Sequence, residues 1–64
     1  MKQETDTLHD RVVDAIKEYI LENKLREGDR LPGEHRMAEL LGVSRASVRE
    51  AMATLAALGI VEVR

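Results

Sequence analysis

Gly42-Val43-Ser44-Arg45-Ala46-Ser47-Val48-Arg49-Glu50-Ala51 reads as a tight turn feeding a helix whose first two turns are rich in serine and arginine. Glycine takes up a left-handed backbone without a Cβ penalty, so Gly42 stops the helix that precedes it. Ser44 starts the next one, because its hydroxyl accepts an orphan amide N–H of the first turn. Two short helices joined in this way form a helix-turn-helix, the arrangement that lays a second helix in the DNA major groove. The leading expectation is a sequence-specific reader of double-stranded DNA.

Downstream, the pattern continues as a helix from Arg45 to about Leu58, with Val48, Ala51, Met52, Leu55 and Leu58 as its buried stripe. Ala46, Arg49, Glu50, Ala53 and Ala57 fall on the opposite, outward side, with Arg45 at its edge. Gly59 ends this helix, and residues 60–63 are β-branched with a period of two at the end, which reads as a strand. An isolated strand is not stable, so it is expected to pair with Arg30-Leu31 or with chain beyond Arg64. That need for a partner suggests a truncated protein.

Upstream, a helix is expected from about Glu34 to Leu41, with Met37, Ala38, Leu40 and Leu41 inward and Gly33 as a weak N-cap. Pro32 suits the position just before it, where a missing N–H costs nothing. Gly28-Asp29 marks a turn in the loop before that, and Asn23 is expected to be the left-handed stop of the first helix. That first helix opens at Thr7, which with Asp10 three residues on resembles a weakened capping box, Asp standing in place of Glu or Gln. Its apolar stripe is Leu8, Val12, Ala15, Ile16, Tyr19 and Ile20; the opposite side carries a ridge of Asp10, Asp14, Glu18 and Glu22. Such a ridge is ordinarily a solvated face, and it cannot be turned toward phosphates. Residues 1–6 read as a flexible N-terminal arm, and residues 7–64 as one DNA-binding domain.

Composition bounds the alternatives. A chain of 64 residues makes one small domain of marginal stability. Without cysteine it has neither disulfides nor thiolate metal sites. There is no membrane-length apolar run and no signal-peptide core, so a soluble cytoplasmic protein is expected. The net charge of −2 and the pI of about 5.6 argue mildly against nucleic acid. Distribution matters more than the sum: residues 1–29 hold five Lys/Arg against eight Asp/Glu, whereas residues 30–64 hold five arginines against four glutamates. Arginine is the cation suited to bidentate recognition of phosphate and guanine.

The candidate site follows from these placements. Arg45 and Arg49 lie near the start of the expected recognition helix, where either can fork onto guanine O6/N7 or hold a phosphate. Ser44, Ser47 and the first-turn amides suit phosphate oxygens at the positive helix end. Alanine keeps the face thin, and the Ala46 methyl can meet a thymine methyl. Arg30 and Arg36 flank the helix that crosses the DNA backbone; each either contacts phosphate or is a surface charge or a partner of Glu34 or Glu39. Glu50 either accepts from cytosine N4 or pairs with Arg30 or Arg45. His35 touches phosphate or is solvated. His9, beside Asp10 on an exposed helix start, has too few neighbouring ligands for a metal, and Tyr19 belongs to the core. No serine has a histidine base near it in sequence, so neither an enzyme nor a cofactor is expected. The alternative to a DNA reader is a helical protein–protein interaction module that has lost DNA binding, with the acidic pI and the acidic ridge as its support.

Gly28-Asp29-Arg30-Leu31-Pro32, Glu34, Met37-Ala38-Glu39-Leu40-Leu41-Gly42-Val43-Ser44-Arg45, Val48-Arg49-Glu50-Ala51, Leu55 and Gly59-Ile60-Val61 closely resemble the N-terminal domain of GntR-family bacterial transcription regulators. Val48-Arg49-Glu50-Ala51 is most similar to the FadR-type branch. The resemblance implies a mainly α, winged helix-turn-helix fold of three helices and a short β element, with the wing cut off after Arg64. It implies Arg45 and Arg49 as the DNA-contacting arginines, with Ala46 and Ser47 at the small positions between them. It also implies a homodimer on a palindromic operator, mainly repressor activity, and a C-terminal domain, absent here, that binds a small-molecule effector. The chain departs from the family pattern at His35, where an arginine is frequent and Arg36 is adjacent. It departs also at Ala46, where Thr or Ser is frequent, and at Gly33, where a capping Ser is usual.

Overall fold

The computed structural model describes residues 7–26 and 29–61. They form three α-helices: α1 (Leu8–Glu22), α2 (Glu34–Leu41) and α3 (Arg45–Ala57). The expected flexible arm, residues 1–6, lies outside the described residues. α3 packs against both other helices, so the helix-turn-helix α2–α3 is braced from behind by α1.

Local chemistry explains the boundaries. Thr7 caps α1 with the expected box: the Asp10 N–H donates to Thr7 Oγ1 at 3.2 Å, and the Thr7 N–H donates to Asp10 Oδ2 at 3.3 Å. Ser44 caps α3, its hydroxyl accepting from the Ser47 N–H at 3.1 Å. Gly33 begins α2 with no side-chain cap bond. All three helices end with an N–H reaching back five residues to a carbonyl of the last turn: Leu25 to Ile20 at 3.0 Å, Val43 to Ala38 at 3.1 Å, and Ile60 to Leu55 at 2.9 Å. Such a closure needs one left-handed residue. Gly42 (φ 70) and Gly59 (φ 77) supply it for α2 and α3. For α1 the expected stop, Asn23, is instead the C-cap at φ −93, and Lys24 takes the left-handed turn at φ 54. The Asn23 amide donates to the Tyr19 carbonyl at 2.9 Å, which holds that residue inside the helix end.

The core is a cluster of Val12, Val13, Ile16, Met37, Ala38, Val48, Ala51 and Leu55, all buried. Val13 joins it although the sequence stripe omits it. Leu8, Leu40 and Leu58, expected inside, are exposed. Each lies at or near the end of its helix, past the reach of a facing element. His9 is no solvated start of a helix: its Nε2 lies 2.9 Å from Thr54 Oγ1, part-buried between α1 and α3. The Thr54 hydroxyl donates to the Glu50 carbonyl, so the imidazole N–H is the donor of that cross-helix bond.

No strand forms among the described residues. Arg30 and Leu31 run without regular structure, and Ile60 and Val61 bend; residues 62 and 63 of the expected strand lie outside the described residues. The physical reason is that a single strand has no ladder to join, and the Ile60 N–H is already used to close α3. Leu31 and Val61 instead tuck partly against the core. The loop before α2 and the segment after α3 thereby frame an open groove of about 880 Å³, with Ile20, Leu25, Pro32 and Met52 among its apolar walls and Arg30, Glu34 and Arg49 on its rim.

Candidate nucleic-acid interface

The outer face of α3 is as thin as the sequence suggests. Ala46, Arg49, Glu50, Ala53 and Ala57 are exposed, together with Arg45 and Ser44 at the N-terminal end. Alanine leaves the backbone close to solvent, so anything approaching this face meets two long cations standing on a low surface. Ser47 is half-buried; its backbone N–H and its Oγ both engage the Ser44 hydroxyl, the latter at 3.0 Å. The capping bond answers one first-turn amide of α3. The Arg45 and Ala46 N–H groups remain without an intrahelical acceptor, as the first amides of any helix do. They coincide with the positive end of the helix dipole, an arrangement suited to an anion.

Arg49 is not solitary. Its Nε donates to Glu34 Oε2 at 3.0 Å and its Nη2 to Glu34 Oε1 at 3.1 Å, joining the first turn of α2 to the second turn of α3. This bidentate bond is the main reason the Glu34 carboxyl lies below its ordinary pKa; desolvation opposes the shift, and the charges of Arg49 and Arg45 add to it. The same bond raises the Arg49 pKa. The two alternatives for Glu34 drawn from sequence, Arg30 and Arg36, are therefore both replaced by Arg49. The sequence carries no signal for this pair, since the residues are 15 apart in different helices. Only the helix-turn-helix crossing brings them together.

The remaining candidates form a second, looser group. Arg36 and His35 both approach Glu39, each at 3.6 Å, from exposed positions on α2. Contacts of that length between solvated groups are weak, so both side chains can turn to an incoming anion at little cost. Arg30 is exposed on the rim of the groove that Glu34 and Arg49 also border. Glu50 pairs with neither Arg30 nor Arg45 among the described residues; it stands exposed on the outer face of α3 and its carbonyl receives the Thr54 hydroxyl. Asp10, Asp14, Glu18 and Glu22 are all exposed along α1, on the side of that helix turned from the core and hence from α3. Among the described residues no group of acidic, histidine or cysteine side chains is placed to hold a metal ion, and no helix is long and apolar enough to cross a membrane.

Comparison with known proteins agrees with this architecture. The family described as bacterial regulatory proteins, gntR family, matches residues 8–64. Among curated relatives, the chain is 49% identical over 55 residues to the HTH-type transcriptional regulator Mce2R of Mycobacterium tuberculosis, covering 86% of this chain and 23% of that protein. It is 37% identical over 62 residues to the Glc operon transcriptional activator of Escherichia coli, covering 97% of this chain and 24% of the relative. It is 45% identical over 53 residues to a putative L-lactate dehydrogenase operon regulatory protein of the same species, covering 83% and 20% respectively. The chain thus spans about a quarter or less of the length of these relatives. No solved structure gives a significant match.

Proposed function

This chain belongs to the gntR family of bacterial regulatory proteins, and from that premise we propose that residues 7–64 are the operator-reading domain of a transcription regulator. α3 enters the major groove of double-stranded DNA. Arg45 and Arg49 read bases or hold phosphates at its N-terminal end. Ser44, Ser47 and the first-turn amides receive phosphate oxygens, and the Ala46 methyl lies against a base edge. His35, Arg36 and Arg30 grip the backbone beside α2. The observation that carries this reading is the outer face of α3, where small side chains let two arginines and the open first-turn amides of Arg45 and Ala46 approach a polyanion together. Phosphate contacts of this kind position a protein, and base contacts give it sequence preference.

The regulator as a whole is proposed to act in the cytoplasm as a homodimer on a palindromic operator, as a repressor of the FadR-type branch. A C-terminal domain beyond this chain would carry the small-molecule effector. Support for a role at promoters comes from the relatives, whose names describe a transcriptional regulator, an operon activator and an operon regulatory protein.

An NMR titration of the chain with a pool of randomised duplex DNA at low salt tests the reading. Amide shifts concentrated at residues 44–50 and 34–36, fading as salt rises, are the expected result. A folded spectrum that does not respond to DNA would sink it and leave the helical protein–protein module in its place.

A further inference from the structure

The Glu34–Arg49 contact is bidentate, unlike the single longer contacts that His35 and Arg36 make with Glu39. The carboxylate clasps the side-on edge of the guanidinium, taking Nε and Nη2 at 3.0 and 3.1 Å. A guanidinium is a planar fork of five N–H donors. The side-on clasp leaves the Nη1/Nη2 end of that fork uncommitted, and this end matches the O6/N7 pair of guanine. Two parallel bonds also remove most of the torsional freedom of a long side chain, which then has less to lose when it meets a base. A carboxylate at this position has a further effect: it repels a phosphate that approaches the same arginine.

We propose that Glu34 is a specificity-determining positioning residue, which aims the Nη1/Nη2 edge of Arg49 at a guanine in the major groove and disfavours its use on the phosphate backbone. Glu34 itself makes no base contact in this scheme. Its place in the first turn of α2 keeps it beside α3 without entering the groove, and the positive end of α2 favours its charge. The inference rests on the reading of α3 as the recognition helix. It assigns Arg49 to base readout rather than to phosphate.

The test is selection from a randomised duplex pool with the chain itself and with Glu34→Gln, Glu34→Ala and Arg49→Ala. Binding is then measured on the best duplex and on a copy whose critical G·C pair is A·T, and circular dichroism checks each fold. A bidentate arginine–guanine contact discriminates by about 5- to 150-fold. The expected result is a guanine preference that disappears in Arg49→Ala and falls about tenfold in Glu34→Ala. Affinity of Glu34→Ala for the A·T copy should hold or rise, since a negative charge has gone. Glu34→Gln, which keeps one acceptor oxygen, should fall between, and it carries the test if the alanine variant does not fold. A guanine preference unchanged within twofold in both Glu34 variants overturns the proposal, as does one that survives Arg49→Ala; in either case the DNA-reading domain stands. Absence of binding to any duplex by the unaltered chain overturns the reading of α3 itself.

Discussion

Arg49 shows how one side chain can be legible in position and illegible in state. Helical periodicity alone puts it on the outer face of α3, and there it is. Its partner could not be read, because a contact between the first turn of α2 and the second of α3 depends on the crossing of two helices. Two predictions belong here. Replacing Arg49 by alanine should cost about 1–3 kcal/mol on the preferred duplex and relax preference at one base position, as measured by fluorescence anisotropy. An equal loss on every sequence, with the salt slope lower by about one unit, would mark a phosphate contact instead. The second concerns acid. The Arg49 hydrogen bond holds the Glu34 carboxyl below its ordinary pKa, against an opposing desolvation and helped by the Arg49 and Arg45 charges. A group whose folded pKa is depressed contributes stability that is complete above its unfolded pKa and lost as pH falls through the folded one. The clasp should therefore be intact through the neutral range and open only on the acid side of the usual carboxylate range. NMR titration of the Glu34 carboxyl carbon checks this: its midpoint should move up in Arg49→Ala, and a midpoint indifferent to that change would show that the bond does not form in solution.

The elements were largely written in their ends. Thr7 with Asp10, Ser44, Gly42 and Gly59 mark boundaries because each residue type solves a specific problem, an orphan amide or a left-handed turn. Lys24 gives no such mark, since lysine has no preference for positive φ; the turn is imposed by Leu25, whose N–H bonds back to Ile20. No strand forms among the described residues for a related reason: β-branched composition describes what fits a sheet, and no neighbouring ladder exists among those residues. Helix ends also make sharp stability predictions. Lys24→Gly removes the cost of a left-handed side chain, about 1–2 kcal/mol, against the added freedom of glycine in the unfolded chain. A net gain of roughly 0.5–1 kcal/mol should raise Tm by roughly 2–8 °C in a domain of this size. Gly33 and Gly42 make the controlled comparison, because an added Cβ meets nothing within 4 Å at either. Gly33 has φ −65, so Gly33→Ser supplies the missing cap without strain and should gain about 0.5–1 kcal/mol. Gly42, at φ 70, should lose about 1 kcal/mol on change to alanine in spite of the open space. Thermal melts followed by circular dichroism separate the two; a loss of stability in Gly33→Ser would contradict the assignment of Gly33 as an unfilled cap.

At the scale of the molecule, the division of charge decides how this acidic chain can meet a polyanion. The acidic side chains of α1 point away from the core, and α3 lies across that core with its arginines outward. A helix with its side chains is about 10–12 Å across, so the two charged faces stand further apart than the Debye length of about 8 Å at physiological salt. The net charge of −2 is therefore a poor guide to what DNA experiences on approach, and a composition argument that sums the chain misleads. This has a measurable consequence. Neutralising the ridge with Asp14→Asn and Glu18→Gln should change duplex affinity by less than about twofold near 0.15 M salt, where screening separates the faces. At about 0.01 M, where the Debye length is near 30 Å, the same variant should bind every sequence more tightly by a common factor. The slope of log affinity against log salt near physiological conditions should not move, because that slope counts the phosphates touched by cations. Titrations of the unaltered chain and the double variant across that salt range make the comparison. A changed slope at high salt, or a change in base preference, would place the ridge against the duplex and require α1 rather than α3 to face it.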